Sequence, residues 1–272
     1  MSLNKHKQDW EELGKLDPLW AVITAKKGKY GNWDLDEFFQ TGEEEIAMLM
    51  ENTERLGYPK ERGSALDFGC GVGRLTRPLA GYFTECCGID ISESMIAKAE
   101  DLNALIPNCK FLSNQDEHLK IFPDNSFDLI YTRLVLQHVP KICTIKSYIA
   151  EFMRILKPGG LLAFQLPSRI PFKKRIQPRR RLYSFLRTLG FNSNFLYNRL
   201  GLCPIKMKCI PEKEVLAFLN SLGGKVLEVY KDTSAGKAIE SRMYYVTTND
   251  LSGEVCTCSH GRTKQDESIP EH

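Results

Sequence analysis

Three glycines at alternating positions close a short apolar run in Leu66-Asp67-Phe68-Gly69-Cys70-Gly71-Val72-Gly73-Arg74, and no other stretch constrains the fold as tightly. Glycines directly after a strand let the backbone approach a ligand closely, and the helix that follows offers its N-terminal amides at the same place. The spacing departs from the dinucleotide fingerprint G-x-G-x-x-G, because Arg74 stands where the third glycine belongs. Asp67 lies two residues before the first glycine, either as a ligand contact or as a cap on its own turn. Asp90 ends the next apolar run, Cys86-Cys87-Gly88-Ile89-Asp90, where a carboxylate can accept both hydroxyls of a ribose.

The glycine turn sits in a strand–helix rhythm over residues 63–167. Strands are expected at 65–68, 86–90, 110–112, 127–131 and 161–166. Between them lie a helix ending near Gly81, a helix capped by Ser92, a helix from about Lys141 to Leu156, and a turn at Lys157-Pro158-Gly159-Gly160. Helices of this length between strands make right-handed crossovers and a parallel sheet covered on both faces. Residues 211–248 resume the rhythm with a proline-led helix from Pro211 to Leu222 and strands at 226–230 and 243–247, paired as an antiparallel hairpin.

The flanking segments differ in character. Residues 1–62 are expected to be helical. Asp17-Pro18 starts a short helix through Ile23, and Thr41-Gly42-Glu43-Glu44 is a capping box for a second, stopped by Gly57 and Pro59. An aromatic loop with Tyr30 and Trp33 lies between them, followed by Phe38-Phe39. Residues 168–210 break the rhythm with a basic segment that interleaves Arg169, Lys173, Lys174, Arg175, Arg179, Arg180, Arg181 and Arg187 with aromatic residues. It is either a grip on an anionic ligand or a solvated helical face. Residues 249–272 are polar and aperiodic and are expected to be a disordered tail. Cys256, Cys258 and His260 offer too few ligands there for a metal site, so no metal is expected.

Composition narrows the class. Apolar residues at 42% and charged residues at 26% exclude a mainly disordered chain, and a net charge of +3 announces no nucleic-acid partner. No run approaches the roughly 18 consecutive apolar residues of a membrane span, so none is expected. The polar start lacks a secretory signal, and nine scattered cysteines, an odd number, suit reduced thiols. A cytoplasmic location is the expectation.

Taken together, the acid followed by Gly69, Gly71 and Gly73, the strand-ending Asp90, the stretch Pro123-Asp124-Asn125-Ser126-Phe127-Asp128-Leu129-Ile130 and the run Arg154-Ile155-Leu156-Lys157-Pro158-Gly159-Gly160 resemble the class I S-adenosylmethionine-dependent methyltransferases, in particular their small-molecule and glycan methylases. The likeness is good over 63–167 and loose over 211–248. It implies an α/β fold: a Rossmann-like, doubly wound, mostly parallel seven-stranded sheet with an antiparallel C-terminal hairpin, a helical N-terminal lid (1–62) and a helical, substrate-side insertion after strand five (168–210).

The resemblance also implies S-adenosylmethionine as cofactor and S-adenosylhomocysteine as product. Cofactor contacts are expected from Asp67, Gly69, Cys70, Gly71, Gly73, Arg74, Asp90, Ile91, Met95, Thr132 and Arg133. The family's Gly-Asp-Ala after strand three is absent, so the adenine contact falls on Asn114, Asp116 or Glu117. Because a sulfonium methyl is already activated, alignment carries much of the catalysis, and a base is needed only for a hydroxyl acceptor. His138 is the candidate, as general base or as pocket wall. One of Tyr30, Trp33 and Phe38 from the lid, and some of Arg179, Arg180 and Arg181 from the insertion, are the expected acceptor contacts. The function expected is methyl transfer to oxygen or nitrogen of a small-molecule or glycan acceptor, anionic acceptors included. The alternatives are an RNA- or membrane-associated methyltransferase and a cofactor-binding protein without transfer activity.

Overall fold

The computed structural model describes residues 3–24, 26–236 and 238–248. The tail expected at 249–272, with Cys256, Cys258 and His260, lies outside the described residues.

Among the described residues, three α-helices precede the sheet: α1 (Leu3–Leu16), α2 (Pro18–Val22) and α3 (Leu35–Leu56). The polar α1 is not evident from local signals. α3 begins six residues before the expected capping box. Asp34 caps it by accepting the Glu37 N–H at 2.9 Å, with Asp36 and Glu37 in the first turn. Thr41 is thus interior, its hydroxyl donating to the Phe38 carbonyl at 2.6 Å. Gly57 ends the helix in the left-handed conformation, as expected. Asp17 precedes α2, but its side chain does not cap it. The buried carboxylate accepts from the backbone N–H groups of Tyr30 (2.6 Å) and Gly31 (3.1 Å) and from the Tyr197 hydroxyl (2.6 Å). It therefore ties the aromatic loop to the insertion.

The alternating region supplies β1 (Ser64–Phe68), α4 (Thr76–Leu79), β2 (Glu85–Asp90), α5 (Glu93–Leu102), β3 (Cys109–Ser113), β4 (Phe127–Thr132), α6 (Ile142–Ile155) and β5 (Leu156–Arg169). Every residue of β4 is buried, as a strand covered on both faces requires. The turn expected at 157–160 is a bulge within β5. Leu156 pairs with Phe127 and Leu161 with Leu129, and the Gly159 carbonyl accepts the Lys60 N–H at 2.9 Å. Asp128 is structural: it accepts from Ser64 N–H at 2.7 Å and from Lys157 at 2.8 Å. The insertion adds α7 (Phe172–Arg175), α8 (Pro178–Thr188) and α9 (Ser193–Asn198). Then α10 (Glu212–Ser221), β6 (Gly224–Asp232) and β7 (Glu240–Thr248) complete the described chain.

The seven strands run in the order β3-β2-β1-β4-β5-β7-β6. Strands β1 to β5 pair in parallel, while β7 is antiparallel to both β5 and β6. Phe68, Phe152, Phe164 and Tyr244 fill one face of the sheet. Ile46 and Leu49 of α3 fill the other, with Leu79, Leu129 and Tyr245. The strand order reverses between β1 and β4, and in open α/β sheets ligands bind beyond the strand ends at such a point.

Candidate functional site

A cavity of about 450 Å³ lies at that reversal, its wall taking in Asp67 to Gly71, Ile89 to Ile91 and Arg133 to Val135. The glycine turn forms its floor. Gly69 and Cys70 donate their N–H groups to the Ile89 carbonyl at 2.8 and 3.0 Å, folding the turn back over β2. Gly69, Gly71 and Gly73 all take positive φ. A Cβ on Gly69 would come within 2.4 Å of the Val135 side chain, and one on Gly71 within 2.4 Å of Val22. Asp67 is buried behind the turn and accepts the Thr76 hydroxyl at 2.7 Å. Burial outweighs that bond and pushes its carboxyl up to about 7.

Asp90 closes the turn from the other side, accepting Gly71 N–H at 3.0 Å and Ser92 N–H at 2.9 Å. Burial raises its pKa against these bonds. Ser92 caps α5 by accepting Met95 N–H at 3.2 Å. Glu11 of α1, unforeseen from the sequence, accepts from the Ser92 hydroxyl at 2.8 Å and the Ser94 N–H at 3.1 Å. Burial opposes its ionisation, but these donors and Lys15 hold it down to about 2. This contact fastens α1 beside Asp90, and Leu3, His6 and Trp10 of the same helix join the cavity wall.

Two guanidinium groups, Arg74 and Arg133, also line the cavity. Both meet Glu45 of α3, at 2.8 and 3.3 Å, and Tyr131 donates its hydroxyl to the same carboxylate at 2.9 Å. Arg133 pairs in addition with Asp232 at 2.9 Å. Burial disfavours the charge on Glu45, yet the two arginines override it and lower its pKa. Glu45 is a site residue that sequence reasoning missed. Its partners lie 29 or more positions away, and no local spacing signals them.

His138 ends a single turn of 3-10 helix, Leu136–His138, and lines the cavity. Its Nδ1 meets the Lys206 carbonyl, which can only accept, so Nδ1 carries the proton. Nε2 then receives the Gln137 side-chain amide at 3.1 Å. Burial pushes the ring down to about 4. An unfolded histidine binds a proton below roughly 6.5, and the folded ring does so only near 4. This group's contribution to stability is therefore complete above pH 6.5 and is withdrawn as pH falls toward 4. Urea unfolding of wild type and His138→Gln at pH 7, 5.5 and 4.5 is expected to show a steeper loss in wild type, by up to about 1.4 kcal/mol per pH unit. Parallel pH profiles would contradict the neutral, buried ring.

Of the expected cofactor contacts, Asp67, Gly69, Cys70, Gly71, Arg74, Asp90, Ile91, Met95, Asn114 and Arg133 stand in the cavity wall. Gly73, Asp116, Glu117 and Thr132 do not. Gly73 faces Asn103 and Phe111, and Thr132 is fully buried within β4. Of the three adenine candidates, Asn114 alone lines the wall; Asp116 lies behind, its carbonyl accepting the Tyr148 hydroxyl at 2.8 Å.

The structure places the expected acceptor contacts outside the cavity wall. Trp33 and Phe38 are buried against each other in the helical layer, and Tyr30 packs on Tyr197 while half exposed to solvent. None of the three reaches the cavity wall, and neither do Arg179, Arg180 or Arg181. Consecutive residues of a helix point about 100° apart, so three adjacent arginines cannot face one site. Arg179 donates to the Gly201 carbonyl at 3.0 Å. The insertion reaches the cavity instead through Ile205 and Met207, and the β6–β7 turn through Ser234 and Ala235.

A family profile described as a methyltransferase domain matches residues 66–164. The 2-methyl-6-phytyl-1,4-hydroquinone methyltransferase of Synechocystis sp. is 29% identical over 154 residues, covering 56% of this chain and 47% of that protein. The chain spans about half the length of the curated relatives it matches. Among solved structures, the magnesium protoporphyrin IX methyltransferase of Synechocystis with bound SAH superposes with a TM-score of 0.57 at 17% identity, over 91% of this chain and 99% of that one. The [4+2]-cyclase SpnF superposes at 0.61 and 15% identity, over 92% and 97%. At such identities the likeness is one of fold, and the fold hosts a cyclase as well as methyltransferases. The family profile over the glycine turn and the following strands makes the finer assignment: residues 66–164 form a methyltransferase domain, like those of the class I S-adenosylmethionine-dependent methyltransferases.

Proposed function

We propose that the protein transfers a methyl group from S-adenosylmethionine to an oxygen or nitrogen of a small, largely apolar organic acceptor. The observation that carries this reading is the pairing of Asp90 with the glycine turn at the cavity floor. A carboxylate offers about four acceptor positions. Gly71 and Ser92 occupy one on each oxygen, which leaves capacity for ribose hydroxyls. The residues present thus fit the cofactor, with Ile91 and Met95 beside the adenosine, Asn114 toward its base, and Arg74 and Arg133 for an anionic end.

When bound, the cofactor supplies an electrophilic methyl on a positively charged sulfur. The protein's own contribution is to orient and to exclude water. Leu3, Trp10, Ile23, Ile205 and Met207 give the remaining wall an apolar character. Such a wall offers no partners to the many hydroxyls of a glycan, which favours a compact organic acceptor. His138 serves as wall and not as base, since its free nitrogen is already engaged.

The test is calorimetric titration with S-adenosylhomocysteine and, separately, NAD, followed by transfer of labelled methyl to a panel of phenols, alcohols, amines and carboxylic acids. Binding of the first ligand alone, with label transfer, is expected. Binding without transfer to any acceptor class would make the protein a cofactor-dependent binder of another kind, and binding of NAD alone would overturn the assignment.

A further inference from the structure

The insertion presents a second surface of unusual composition, away from the cavity wall. Residues 168–210 hold eleven of the chain's 37 basic residues and none of its 34 acidic ones, leaving 26 basic against 34 acidic elsewhere. The same segment, from Phe172 to Leu200, bears eight of the seventeen large apolar side chains that stand exposed among the described residues. Scattered exposed apolar residues need no explanation, but a concentration of this kind does.

Helix α8 organises the surface. Its inner side turns Tyr183 toward Leu196 and Leu202, which anchors the helix. On its outer side, Leu182, Phe185 and Leu189 recur at intervals of three and four residues, a spacing that places them on one stripe. They are 47%, 59% and 60% exposed. By the helical rotation of about 100° per residue, Arg181 and Arg179 fall on opposite flanks of that stripe, and both are exposed. Phe191 and Phe195 follow, each 42% exposed, with rings stacked 5.7 Å apart. Toward the domain the helix thus packs Tyr183 and pairs Arg187 with Glu12 at 2.7 Å, while its outer stripe is apolar and cationic along both edges.

Charge complementarity selects the partner. A second copy would bring two acid-free cationic faces together, which repel. An RNA would engage the arginines and stack on the phenylalanines, but it offers nothing to Leu182 and Leu189. An anionic bilayer meets both requirements, taking the apolar stripe into the boundary between headgroups and acyl chains and the flanking cations onto the headgroups. We propose that the outer face of α8 docks the protein on an anionic lipid surface, with Leu182, Phe185 and Leu189 inserted and Arg179 and Arg181 on the headgroups. The insertion also contributes Ile205 and Met207 to the cavity, so docking there brings an apolar acceptor's source close to the apolar wall. The docking itself does not rest on the methyl-transfer reading.

The test is co-sedimentation of the full chain with vesicles of phosphatidylcholine alone, and of phosphatidylcholine containing one-third phosphatidylglycerol. Binding to the anionic vesicles is expected to exceed binding to neutral ones by roughly tenfold or more and to fall with salt. The variant Leu182→Ser/Phe185→Ser/Leu189→Ser should lose at least about tenfold of it. Arg179→Ser and Arg181→Ser should each lose roughly fivefold. Because the apolar triplet is exposed, an unchanged thermal unfolding curve and unchanged S-adenosylhomocysteine affinity separate loss of docking from loss of fold. Equal binding to neutral vesicles, or full binding by the triple-serine variant, would overturn the proposal. So would a dimer abolished by that variant in the absence of vesicle binding, or retention on single-stranded RNA with none on vesicles.

Discussion

Glu45→Ala is expected to destabilise the fold by about 3–5 kcal/mol, the cost typical of removing one partner from a buried ion pair. Glu45 is the shared counter-charge of Arg74 and Arg133, and the Arg74 side chain is only 7% exposed. Without the carboxylate, Arg74 keeps only the Thr41 hydroxyl at 3.4 Å, while Arg133 retains Asp232. Tyr131, itself buried, loses the acceptor for its hydroxyl. The loss is therefore that of an uncompensated buried cation plus an unsatisfied phenol. Urea unfolding of the two proteins measures it directly. A difference below about 1 kcal/mol, the range of exposed pairs, would mean that Glu45 is not the hub joining α3 to the sheet and the β6–β7 turn.

Gly71→Val is expected to remove measurable binding of S-adenosylhomocysteine. The position has a φ of +55°, and holding a branched residue in the left-handed region costs on the order of 1–3 kcal/mol. Its Cβ would also meet the Val22 side chain at 2.4 Å. Relief of either strain moves the Gly71 N–H away from Asp90, so turn and carboxylate lose their register. Gly31→Val is the matched control, with a φ of +75° and no atom within 4 Å of the added Cβ. It carries similar backbone strain at a distance from the cavity wall and should bind the ligand as wild type does. Equal losses in both variants would show that general strain, not the floor of the cavity, governs affinity.

The sheet was legible because its signals are local. Apolar runs, the positive-φ glycines, the Ser92 cap and the spacing of helices each act within a few residues, and together they imply the strands and parallel crossovers that the structure shows. The failures share the opposite cause. Thr41 to Glu44 has the form of a capping box, but Asp34 starts the helix earlier, and packing of Ile46 and Leu49 on the sheet supports its full length. Asp17 has a helix start beside it, yet its carboxylate serves Tyr197, 180 residues away. Glu11 and Glu45 are ordinary surface-type residues in sequence, and only the tertiary approach of α1 and α3 turns them into fasteners of the site. Helical rotation separates Arg179, Arg180 and Arg181, so these successive side chains do not share one target. The same rotation applied to Leu182, Phe185 and Leu189 reveals the outward stripe.

The most direct test of the central claim is calorimetric titration of S-adenosylhomocysteine into wild type and Asp90→Ala. Wild type is expected to bind at one site. The variant should bind more weakly by about 1–3 kcal/mol, because two hydroxyls lose a charged acceptor, while its unfolding remains cooperative. Unchanged affinity in Asp90→Ala, or no binding by wild type, would contradict the assignment of this cavity to the cofactor.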